Sequence, residues 1–145
     1  IYAAMNALAA SAPAGADGVR CTPTFSGARG DPAARGAFSG LTPQNLTPGH
    51  LARALLEGMA EGLYGFYQEM LPYMGHKAAL VGSGNALRRN PLFSHILAQR
   101  LGLPMHIPAH EEEAAMGAAL LAAVGTGELP SPAAAAKLVR YTIIS

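Results

Sequence analysis

Cysteine is almost missing: the single Cys21 excludes an intramolecular disulfide and suits a reducing compartment. Long apolar runs are missing too. A membrane-crossing helix needs roughly 18 apolar residues, and the Ala-rich stretch at residues 114–124 stops short of that and follows three glutamates. Charge is sparse, with 13% charged residues and a net +1. That gives no electrostatic case for nucleic acid or an anionic membrane as partner. Ile1-Tyr2-Ala3 lacks the basic start of a secretory leader, so the expected compartment is the cytoplasm. No G-x-x-x-x-G-K-[ST] P-loop occurs and no HExxH pattern accompanies the histidines. No Ser-His-Asp or Cys-His group is gathered locally, and no internal repeat or long linker divides the chain.

What is present describes a folded chain. At 145 residues and 50% hydrophobic, it can build one domain with a core and is not disordered. It begins at Ile1, inside the helix-like pattern Tyr2-Ala3-Ala4-Met5-Asn6-Ala7-Leu8-Ala9. That start reads as a piece of a longer protein.

The pattern predicts a first helix that Pro13 and Gly15 break. An edge or irregular strand follows at residues 19–25, since Pro23 cannot donate to a ladder, then a loop at 26–36 and a short strand at 37–41. Thr47-Pro48 opens the longest helix as cap and first-turn proline. Leu51, Leu55, Met59, Leu63, Phe66 and Met70 keep helical spacing on one face. Arg53 and Glu57 can pair one turn apart. Residues 77–81 read as a strand, 91–101 as a helix, 105–107 as a strand stopped by Pro108, and 111–124 as a helix. A last helix can start at Ser131. Strand, helix, strand, helix gives a parallel pair and an α/β class, with a mixed sheet if the earlier strands join it.

The stretch VGSGNALRRNPLF, residues 81–93, is the first candidate for ligand contact. Gly82 and Gly84 allow unusual backbone angles and let a ligand approach the main chain. The turn lies at the carboxyl end of a strand, where ligands of open α/β sheets sit. The next helix is expected near Asn90-Pro91, its free N–H groups favouring polar or anionic atoms. On these residues alone, a tight turn without a ligand is the simpler account. The dinucleotide string G-x-G-x-x-G has Leu87 at its third glycine. Glu111 after the next strand still leaves a degenerate dinucleotide-binding module as an alternative. Asn90 can cap a helix, and its amide also suits an adenine edge. Arg88 and Arg89 are expected to be solvated, or to lie over a ring or near a phosphate.

The remaining candidates have plainer accounts. Glu111-Glu112-Glu113 suits a helix start. With His106 and His110 it looks like a metal set, but Pro108 lies between the histidines and the spacing fits no standard pattern. Ala114, Gly117, Ala118 and Leu121 form a small-residue stripe for close packing, with room for a flat ligand nearby. Cys21 reads as a small core residue and Asp31 as a turn residue.

An ordered series of segments adds a resemblance. Pro13-Ala14-Gly15-Ala16-Asp17-Gly18 is followed by Phe25-Ser26-Gly27-Ala28-Arg29, where Ala28 stands for an acid. Then come Asp31-Pro32-Ala33-Ala34-Arg35-Gly36-Ala37-Phe38-Ser39-Gly40-Leu41 and His50-Leu51-Ala52-Arg53-Ala54 with Leu56-Glu57-Gly58. The Gly82 turn, Gly102-Leu103-Pro104 and Glu113-Ala114-Ala115-Met116-Gly117-Ala118-Ala119-Leu120 complete the series. From Ala14 to about Tyr141, the chain resembles the C-terminal region of the FGGY carbohydrate kinases. Gly-Ser-Gly-Asn-Ala-Leu with Arg89-Asn90, where the commoner form is Gly-Gly-Gly-Ala, resembles the sedoheptulokinase branch, as does Cys21-Thr22-Pro23-Thr24-Phe25-Ser26-Gly27.

The resemblance implies an actin-like, ribonuclease-H-like kinase fold with a mixed sheet and packed helices. The chain would be part of its C-terminal domain, and the N-terminal domain would lie outside it. It implies ATP in a cleft, with Gly82, Ser83, Gly84 and Asn85 lining the adenosine and Asn90 reaching adenine. The general base, the Mg²⁺ ligands and most of the sugar pocket fall upstream in the family. No catalytic or metal position is therefore assigned here. The implied partners are ATP, a sedoheptulose-like ketose or related sugar and the chain's own N-terminal domain, with a homodimer left open. The chain alone would be inactive.

Overall fold

In the computed structural model, residues 2–144 are described; Ile1 and Ser145, and with Ile1 the start on which the leader reading rested, lie outside the described residues. The chain packs as two units. One runs to His76 and takes in Gln99–Gly102; the other holds Lys77–Ala98 and the residues from Leu103.

In the first unit, α1 (Tyr2–Ser11) ends before Pro13, and a single 3₁₀ turn (Ala16–Gly18) leads into β1 (Arg20–Thr22). Strand β1 pairs antiparallel with β2 (Ala37–Ser39), Cys21 opposite Phe38. The polar loop between them is tied by Asp31, whose carboxylate accepts the Ala33 N–H at 2.9 Å, the turn role expected of it. Helix α2 (Pro48–Met74) opens as the sequence predicts: Thr47 accepts the His50 N–H and Pro48 sits in the first turn. The Arg53–Glu57 pair forms at 2.6 Å, and Glu57 also accepts the Gly15 N–H at 2.9 Å.

The core of this unit is small and made of small residues. Ala16, Val19, Cys21 and Ala54 are buried, with Phe38, Leu51 and Leu55 packed against them. Burial pushes the Cys21 thiol up from its ordinary value, as fits an inert core residue. Helix and strand can approach because Gly58 has no side chain: a Cβ there would collide with the Cys21 carbonyl. Buried Asn45 ties the segment before α2. Its Nδ2 donates to the Asp17 and Gly40 carbonyls, both at 3.0 Å, and its Oδ1 accepts the Thr42 N–H at 2.7 Å.

The apolar face of α2 is covered only in part. Leu51 and Leu55 are half-buried, but Leu63, Phe66 and Met70 are 45%, 63% and 55% exposed, and Met59 is at the margin. Helix α2 meets Leu8 at Gly49 and Cys21 at Gly58, whereas a Cβ at Gly62 or Gly65 would have nothing within 4 Å. Arg100 lies over the Tyr64 ring at 3.4 Å and pairs with Glu61 at 2.5 Å. That pair holds the Glu61 carboxyl below its ordinary value.

In the second unit, β3 (Leu80–Val81), α3 (Asn85–Arg88), α4 (Pro91–Leu101), β4 (Met105–Pro108), α5 (Glu113–Gly125), α6 (Pro132–Ala136) and β5 (Tyr141–Ile144) follow one another, the last turn of α4 falling in the first unit. The sheet order is β3-β4-β5, with β3 parallel to β4 and β5 antiparallel to it. Helix α4 buries Phe93, Ile96 and Leu97, and β4 buries Met105 and Ile107.

The sheet is mixed, but not for the expected reason. Among the described residues the earlier strands pair only with each other, and the antiparallel member is β5. Strand β3 is also shorter than residues 77–81, and α5 starts two residues later than expected.

Candidate functional site

The turn after β3 is built of two glycines with opposite surroundings. Gly82 is buried, and its N–H continues the ladder to the His106 carbonyl at 2.9 Å. The space at its Cβ position is already taken by Ile107, Leu87 and Met105. The sequence alone suggested ligand approach at this glycine; what crowds it is the unit's own core. Gly84 is different. Its φ of 93° and ψ of 164° lie where other residues are strained, and nothing comes within 4 Å of the position a Cβ would take. Gly84 is therefore the member of the pair that combines special backbone with open space.

After Gly84 the chain does not run straight to Asn90. It makes the four-residue helix α3, and the Arg88 N–H returns to the Gly84 carbonyl at 3.1 Å. Asn90 then caps α4, its Oδ1 accepting the Phe93 N–H at 3.0 Å. Below it, fully buried Ser94 donates to the Leu87 carbonyl at 2.8 Å. Ser83 and Asn85 are exposed beside Gly84. All five sequence-assigned residues thus belong to one short segment at the carboxyl end of β3, with Gly82 inward and the others at or near the surface.

Arg88 corrects the expectation of a solvated or phosphate-facing side chain. Its side chain is 18% exposed. Its guanidinium donates to the carbonyls of Glu111 at 2.9 Å, Pro108 at 3.4 Å and His110, and to the Glu113 carboxylate. Burial pushes the Glu113 carboxyl up. Hydrogen bonds from its own N–H and that of Gly84, together with the Arg88 charge, more than offset this and leave it below its ordinary 4.5. Glu111, the acid of the dinucleotide alternative, contributes its carbonyl to Arg88.

Next to the turn is a feature the sequence only hinted at. A cavity of ≈ 190 Å³ lies between α5 and the sheet strands; its lining is largely apolar, with Val81, Met116, Leu120 and Tyr141, and includes the polar residues Ser83, His110 and Glu113. Of the small-residue stripe, Gly117 lines it, while Ala114, Ala118 and Leu121 face outward. Among the described residues no three His, Cys, Asp or Glu side chains gather as a metal set. No helix among them is long and apolar enough to cross a membrane.

The match to known proteins takes in the turn and most of the chain. The model of the FGGY family of carbohydrate kinases, C-terminal domain, matches residues 2–126. The chain is 38% identical over 117 residues to a glycerol kinase of Thermus brockianus, covering 79% of this chain and 23% of that one. It is 34% identical over 123 residues to a xylulose kinase of Staphylococcus epidermidis, covering 83% of this chain and 24% of that one. An L-fuculokinase of Escherichia coli is 39% identical over 101 residues, 67% of this chain and 21% of that one. Among solved structures, xylulose kinase from Rhodospirillum rubrum superposes with a TM-score of 0.79 at 37% identity, over 97% of this chain and 28% of that chain. The chain spans about a quarter of the length of the curated relatives it matches.

Proposed function

The chain belongs to the FGGY family of carbohydrate kinases, and from that premise we propose that it is the nucleotide-binding, C-terminal part of a kinase that moves the γ-phosphoryl group of ATP to a hydroxyl of a ketose or related sugar. The observation that carries this reading is Gly84, with its glycine-only backbone and open Cβ side at the carboxyl end of β3. Ser83, Gly84 and Asn85 would form one wall of the adenosine site, with buried Gly82 supporting it from the core side. Asn90 spends its Oδ1 on the helix cap, so its Nδ2 is the group that would donate to an adenine acceptor. Mg²⁺ would neutralise phosphate charge during transfer. Its ligands and the general base would come from outside this chain, as would most of the sugar pocket. The partner in completing the site would be the protein's own N-terminal domain, and the setting the cytoplasm.

The Gly-Ser-Gly-Asn form of the turn favours a sedoheptulose-like substrate within this class. The comparisons include glycerol, xylulose and L-fuculose kinases, so the intact kinase should be assayed with all four acceptors. Faster turnover of any other acceptor than of sedoheptulose would reject that finer assignment. The nucleotide role has its own test. Gly84→Val in the intact kinase should raise the KM for ATP, and an unchanged KM would end the nucleotide reading of the turn. The chain by itself, lacking base and metal ligands, should show no turnover with ATP and sedoheptulose above background.

A further inference from the structure

We propose that Arg88 is a positioning residue for the nucleotide turn, holding Gly84 in place from behind by tying α3 to the loop between β4 and α5. The proposal rests on the nucleotide reading of that turn. Helix α3 has only four residues, too few to persist without outside contacts. What precedes it is a glycine in a sparsely populated conformation, which surrounding structure must impose. The imposing contacts run through Arg88. Its N–H is bonded to the Gly84 carbonyl, and its guanidinium is paired with Glu113 at the start of α5.

The same guanidinium reaches the carbonyls of Pro108, His110 and Glu111. It thereby fixes a loop whose own side chain does not help at that point: the Nε2 of His110 is buried without a hydrogen-bond partner among the described residues. Four acceptors in different directions suit a planar fork of donors and do not suit a compact ammonium. A guanidinium so committed is not a phosphate ligand. Its effect on the nucleotide passes through the turn, where small misplacements are costly.

The test uses the intact kinase with Arg88→Ala, Arg88→Lys, Glu113→Gln and, as control, Gly84→Val. Arg88→Ala should raise the KM for ATP by about tenfold, the scale of a hydrogen-bonded charge lost. The KM for the sugar should stay within about twofold. Arg88→Lys should recover only part of the loss. Glu113→Gln keeps the shape but loses the charge pairing with Arg88, and should fall between. If Gly84→Val raises the KM for ATP and the Arg88 and Glu113 variants do not, the positioning role is overturned while the nucleotide reading stands. A rise in the sugar KM equal to that for ATP also overturns it, as a general loss of structure. If Gly84→Val has no effect, the nucleotide reading fails, and this proposal with it. Should Arg88→Ala fail to fold, the lysine and glutamine variants decide.

Discussion

Gly82 and Gly84 stand two residues apart and are glycine for opposite reasons. A Cβ on Gly82 would lie 2.8 Å from Ile107 Cδ1 and 2.9 Å from Leu87 Cδ1 and Met105 Sδ, whereas one on Gly84 would meet nothing within 4 Å. The first glycine makes room for the core; the second makes a backbone angle.

That contrast separates two alanine variants. Gly82→Ala should destabilise the protein by about 1–3 kcal/mol through overpacking, seen as a lower urea midpoint, with the KM for ATP near the parent value. Gly84→Ala has room but faces strain of about 1–3 kcal/mol, which the turn can relieve by moving, so it should change the KM for ATP. The reverse assignment of effects would contradict the geometry.

Asn45 is 3% exposed and spends both ends of its amide on backbone groups. Asn45→Ala leaves two carbonyls and an N–H without it and should cost on the order of 2–3 kcal/mol. Asn45→Asp should not rescue, because it keeps the acceptor, removes both donors and adds a buried charge. Chemical denaturation of the three proteins checks the order, and a stable Asp variant would refute it.

Along α2, three glycines give a graded comparison. Gly62→Ala and Gly65→Ala meet nothing within 4 Å and should each stabilise the helix by about 0.5–1 kcal/mol. Gly58→Ala gains the same helix preference but drives its methyl into the Cys21 carbonyl, a backbone atom that cannot swing away. It should lose stability, and thermal unfolding of the three variants would show opposite signs.

Acid should loosen the Arg88–Glu113 clasp. The folded-state Glu113 carboxyl titrates below its ordinary 4.5, so its contribution is fully present above that value and is lost as pH falls from about 4.5 through the folded-state value. Glu113→Gln removes this component. The parent should therefore lose stability more steeply than the variant below pH 4.5, and parallel curves would exclude a linked role for this carboxylate.

Much of the fold could be read from local chemistry. Thr47-Pro48, Asn90 and Asp31 each announce a cap or turn through their own side chains, and each is found doing so. What escaped depends on distant partners. Tyr141-Thr142-Ile143-Ile144 has the β-branched and aromatic make-up of a strand, but only its pairing with β4 reveals its place in the sheet. Helix α3 is too short to show a period. Arg88 looks like any surface arginine until acceptors 20 to 25 residues further along converge on it. The crowding at Gly82 comes from Met105 and Ile107 on the neighbouring strand, which no spacing rule exposes.

The bare half of α2 has a practical consequence. Leu63, Phe66 and Met70 recur at helical spacing on one exposed strip, and contiguous apolar surface of this kind promotes association in water. Handled alone, this chain should bind hydrophobic dyes and self-associate as its concentration rises. A dimer seen for the isolated chain on a sizing column would then report stickiness of that strip, and Phe66→Glu should abolish it. The subunit count of the kinase must be measured on the intact protein.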